Sequence, residues 1–118
     1  MIVGAALVEL RIHGSRSLKE KRGVLRSISQ RVRNRCRVSV AEVGGQDTWT
    51  RALLGFATVG NDPVVVRRVL ERAVVFVEDL HLAEVVASDF EVIRLPLTEA
   101  LADDEEVESE GAEDEDGD

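Results

Sequence analysis

Few residues in this chain could do chemistry, and most of those are cations. Between Arg11 and Arg37 stand ten basic residues, Arg11, Arg16, Lys19, Lys21, Arg22, Arg26, Arg31, Arg33, Arg35 and Arg37, against the single acid Glu20. A helix face that is only solvated usually mixes signs, since opposite charges a turn apart support each other; this segment does not. At about 100° per residue, Lys19, Arg22, Arg26 and Arg33 fall within about 60° of one another, roughly 120° from the apolar stripe of the same helix. With Arg16 in the preceding loop they form a candidate contact set for a polyanion. Such a ridge attracts phosphates through counterion release and needs no base reading. The competing reading is a helix face kept wet by Arg and Lys, with no partner.

The remaining reactive types are isolated. Cys36 is the only cysteine, so no internal disulfide can form, and its helical spacing makes it a small core hydrophobe. With only His13 and His81 beside it, no metal-ligand cluster has the required number or spacing. His13 reads as a turn histidine and His81 as a cap on the carbonyl end of a helix. Neither has a nucleophile or carboxylate partner nearby in sequence, so no catalytic residues, metal or cofactor are expected. Trp49, after a glycine turn, reads as packing or a subunit contact ahead of ligand stacking. The chain has no Tyr and only three Phe, and no aromatic pair of the base-stacking kind, so any RNA contact is expected through backbone or shape.

The elements that position these residues follow from periodicity. Strand 1 is expected near residues 2–12, where Val8 to Ile12 alternates apolar and charged. Ser17-Leu18-Lys19-Glu20 is a capping box, opening a helix near 17–35 whose stripe is Leu18, Leu25, Ile28, Val32 and Cys36. Strands near 37–43 and 49–59 flank a glycine turn and make a hairpin. Asp62-Pro63 supplies an N-cap and a first-turn proline. The Val-rich run behind it keeps helical spacing at Val66, Val69, Leu70, Ala73, Val77 and Leu80, so a helix is expected near 62–80. A last strand follows near 84–95, and Pro96 limits it. The order βαββαβ, with short right-handed connections, predicts an α+β ferredoxin-like sandwich: a four-stranded antiparallel sheet with two helices on one face.

Leu10-Arg11-Ile12, the run Gly14 to Arg22, Val38 to Val43 with Gln46 to Trp49, Leu54-Gly55 and Asn61-Asp62 strongly resemble the YlxP-like family of small bacterial proteins over about residues 1–95. The Ser-Leu-Lys-Glu-Lys-Arg run is the most specific part. The resemblance implies a ferredoxin-like fold and a bacterial cytoplasmic setting, often beside genes of translation and ribosome maturation. It implies no assigned activity and no functional residues, and the acidic C-terminal segment departs from the family pattern.

Charge divides the chain in two. Residues 1–98 carry 15 basic and 11 acidic groups, and the last 20 residues carry 12 acids and no base. The expected organisation is a ferredoxin-like domain over 1–96 and an acidic disordered tail over 97–118. The N-terminal apolar run is broken by Glu9 and Arg11, so neither a signal peptide nor a membrane span is expected, and the expected location is the cytoplasm. Apolar residues occur at both parities in Val3 to Ile12 and Leu53 to Val59. Some must leave the helix-covered face, which predicts a homodimer through the open sheet. The functional expectation is a noncatalytic accessory protein contacting RNA or a ribosomal assembly through Arg16, Lys19, Arg22, Arg26 and Arg33. The alternative is a homodimeric interaction or scaffolding module. A more remote one is an acylphosphatase-like phosphohydrolase, with His13 to Ser17 as anion loop, although the glycine-rich loop and the water-positioning asparagine of that chemistry have no counterpart.

Overall fold

The computed structural model describes residues 1–96; the expected acidic tail lies outside the described residues. The elements are β1 (Ile2–Arg11), α1 (Leu18–Arg35), β2 (Ser39–Gly44), β3 (Arg51–Gly60), α2 (Pro63–Leu80) and β4 (Glu84–Arg94). All four strands pair antiparallel in the order β2-β3-β1-β4, and both helices cover one face. This is the ferredoxin-like sandwich that the element order predicts.

Alternation along β1 decides which residues meet the helices. Ile2, Ala6, Val8 and Leu10 are buried beneath them, and the intervening Ala5 and Leu7 are exposed on the other face. Gly4 lies on the buried side, where a Cβ would come within 2.5 Å of Val66 Cγ1 and 2.8 Å of Leu70 Cδ1. The missing side chain is what lets α2 sit this close to the central strand.

In α2 the caps overrule β-propensity. The Asp62 carboxylate accepts the Val64 N–H at 2.9 Å, Pro63 occupies the first turn, and Val66, Leu70, Ala73, Val74 and Val77 pack into the core. His81 closes the helix in the left-handed conformation, φ 57° and ψ 27°, and donates its N–H to the Glu78 carbonyl at 3.3 Å, as expected of a C-terminal cap. No helix among the described residues is long and apolar enough to cross a membrane.

Candidate nucleic-acid interface

The N-terminus of α1 is built by the capping box, with one displacement. Ser17 Oγ accepts the Glu20 N–H at 3.1 Å. The Glu20 carboxylate reaches past Ser17 and accepts the Arg16 N–H at 2.7 Å. That bond fixes the loop carrying Arg16 at the head of the helix. It also fills with a carboxylate the amide that an anion loop at His13 to Ser17 would have to offer.

Down the helix, Lys19, Arg22, Arg26 and Arg33 are all exposed, and so is Arg16. Lys19, Arg22, Arg26 and Arg33 share one side of α1 by helical spacing, and Arg16 stands in the loop before it. Arg33 Nη2 donates to the Val40 carbonyl at 3.0 Å, which ties the C-terminal end of the ridge to the sheet edge and leaves most of its donors outward. The ion pairs among the described residues are His13–Glu84, Lys21–Glu42, Arg51–Glu9 and Arg67–Glu71. Within that set, none of the five ridge cations faces a carboxylate partner.

Not every cation of the segment belongs to the surface. Lys21, counted with the ten, is 1% exposed. Its Nζ donates to the carbonyls of Gly45 and Thr48, the latter at 2.6 Å, and lies 3.6 Å from Glu42 Oε2. One buried ammonium thus holds the hairpin between β2 and β3 against α1. Gly45 can present its carbonyl there because its φ is +76°, a conformation that glycine adopts without strain. The sequence held a signal for Lys21: with Leu25, Ile28 and Val32 it completes the buried stripe at steps of four, three and four, a place that Leu18 only half fills. Arg35 is likewise partly committed to structure, its guanidinium 5.6 Å from the centre of the Phe76 ring on α2.

The other singled-out residues scatter. His13 Nε2 lies 2.8 Å from Glu84 Oε1 with both side chains exposed; this carboxylate partner comes from the far end of the chain. Trp49 is 52% exposed, beside the hairpin that Lys21 pins, so within the subunit it is not core packing. Cys36 is half-buried at the end of α1, where burial pushes its thiol pKa up and Arg35 opposes that only in part. A raised pKa disfavours thiolate, as a packing role requires. No group of His, Cys, Asp and Glu among the described residues could hold a metal ion.

Gly23 stands in the interior of α1 on the solvent side, with nothing within 4 Å of a Cβ placed there. Glycine in an exposed helix interior costs about 1 kcal/mol relative to alanine. Gly23→Ala is expected to raise stability by about that amount, measured as an upward shift in urea midpoint at constant slope. No shift would mean that the helix is already frayed at this point.

The fold is that of a small ferredoxin-like protein whose first helix carries exposed cations. The chain belongs to a protein family of unknown function, DUF503, which it matches over residues 3–90. It is 42% identical over 77 residues to the uncharacterized protein YlxP of Bacillus subtilis, covering 65% of this chain and 84% of that protein. Among solved structures it resembles a structural-genomics protein, YJCS, with a TM-score of 0.50 and 12% identity, over 78% of this chain and 99% of that one. At that identity the likeness speaks for the fold alone.

Proposed function

We propose that this protein is a noncatalytic accessory factor that contacts RNA, alone or within a ribosomal assembly, through Arg16, Lys19, Arg22, Arg26 and Arg33. The observation that carries this reading is the absence, among the described residues, of a carboxylate partner for any of the five, although other surface arginines of the same domain have them. A ridge of unneutralised cations releases counterions when it meets a phosphate backbone. Its spacing is fixed by a helix anchored at both ends, at Ser17 and at Arg33. Ultraviolet crosslinking in cells followed by sequencing of the recovered RNA tests the reading. Recovery above that of a Lys19, Arg22 and Arg26 to Glu variant supports it, and equal recovery refutes it.

The second reading, a protein-interaction module, rests on a different surface, the open sheet face. There Leu7, Val43, Val59 and Ile93 are exposed.

Sequence charge adds a regulatory expectation. We infer that the acids of Asp103 to Asp118, tethered to the ridge at an effective concentration that can reach millimolar, compete with phosphate for the same cations. Deleting the residues after Pro96 is expected to tighten RNA binding at low salt, with the advantage shrinking as salt screens the competition. Equal affinities of the two chains at low salt would leave the acidic segment as a solubility device.

A further inference from the structure

The sheet face turned away from the helices combines three features that together specify an occupant. Large apolar side chains stand on it, with Leu7 43% and Val59 63% exposed. Across its middle runs a trough of about 490 Å³, floored by Ala5, Ala41, Gly55 and Ala57. The charged groups that flank the trough lie at opposite edges, while Arg11 and the Glu9–Arg51 pair share the face at one end of the central strands. Asp89 and Glu91 on β4 line the trough and, by register, stand beside Leu7 and Ala5. Arg37, just before β2, borders a neighbouring depression with Val3, Ser39 and Val59. Glu42, the acid of β2, is on the helix side, paired with Lys21.

We propose that this face is covered by a second copy of the chain, packed sheet to sheet about a two-fold axis that runs along the strands. The area suffices: four strands about 4.8 Å apart and rising about 3.3 Å per residue present roughly 600 Å² per subunit. The resulting total of about 1,200 Å² is at the lower bound for a stable, specific interface.

The charges beside the trough favour one axis, on which Arg11 and the partner's Arg51 meet only at the end of the sheet, where each subunit's Glu9 pairs with its own Arg51. A two-fold axis across the strands would lay β4 on the partner's β4 and bring four carboxylates together in a desolvated layer, which is strongly unfavourable. An axis along the strands lays β4 on the partner's β2 instead, so that Asp89 and Glu91 approach the edge carrying Arg37. The same operation lays β1 on the partner's β3. Since Leu7 and Gly55 are register partners, each subunit's Leu7 then lies over the other's Gly55, against the Val43 side chain that leans over that glycine. The helices face outward, and the two basic ridges lie on opposite outer surfaces. Packing of the two sheets does not depend on what the ridge binds.

Light scattering on the full chain at tens of micromolar is expected to give twice the 13.0 kDa subunit mass. Leu7→Asp, which introduces a charge at the centre of the face, is expected to give the subunit mass with an unchanged far-ultraviolet spectrum. A monomeric wild-type chain overturns the proposal, and so does a folded Leu7→Asp variant that remains dimeric. The axis is tested at exposed positions that folding does not need. Arg37→Glu and Glu91→Lys should each weaken the dimer about tenfold or more, and the double variant should recover most of the loss by restoring opposite charges. Additive losses in the double variant overturn the assigned axis.

Discussion

Replacing Lys21 with methionine is expected to lower the free energy of unfolding by about 3 kcal/mol, the scale for breaking one side of a buried ion pair. The side chain is 1% exposed, so methionine keeps much of the packing volume and the loss isolates the charge. Three groups would be orphaned together: the carbonyls of Gly45 and Thr48, and Glu42 Oε2. That oxygen is already buried and accepts no hydrogen bond, so its compensation is the Lys21 charge at 3.6 Å. Against a total stability of about 5–15 kcal/mol for a domain of this kind, the change is large. The urea midpoint should fall with little change in slope, because the buried surface is nearly the same. A second substitution, Glu42→Leu, removes the stranded acid, and the double variant should therefore lose less than the sum of the singles. A loss below about 0.5 kcal/mol for Lys21→Met, the range of neutral surface changes, would show that the hairpin holds its place without the ammonium.

The same residue marks where sequence reasoning stopped. The helix of Pro63 to Leu80 was legible despite its valines, because Asp62, Pro63 and an unbroken 3.6-residue spacing all pointed one way. The strands were legible because β1 alternates. Ser17 and Glu20 place α1 to within a residue, yet apolar spacing puts Leu18 in the stripe where the fold buries Lys21. A lysine is almost never fully buried unless paired, and its acceptors, Gly45 and Thr48, lie 24 and 27 residues away. The β2–β3 hairpin brings them there through an irregularity in register between Glu42 and Gly44, and no local pattern announces that. The exposure of Lys19, Arg22, Arg26 and Arg33 was legible because positions well away from an apolar stripe follow from helical geometry alone. Their lack of carboxylate partners did not follow, since His13 with Glu84 and Arg51 with Glu9 show that partners arrive from distant strands.

Reversing Arg22 and Arg26 to glutamate is expected to reduce RNA affinity at low salt by about two orders of magnitude, and its dependence on salt should reveal why. Five cations meeting five phosphates give a slope of log affinity against log salt near −4.5 on a duplex, so the wild-type chain should lose roughly 500-fold between 50 and 200 mM salt. Removing two of those contacts flattens the slope by about two, and placing two carboxylates beside the phosphate path adds repulsion that salt relieves. The two binding curves should therefore converge as salt rises. Because both residues are exposed and neither holds an ion pair among the described residues, the substitution is expected to spare the fold. The informative control is Arg68→Glu with Arg72→Glu, on the exposed side of α2, which changes net charge by the same amount away from the ridge. Affinity that falls only for the α1 pair assigns the interaction to the ridge. Equal losses for both pairs would mean that RNA responds to the charge of the whole domain, and the five-residue contact set would be withdrawn.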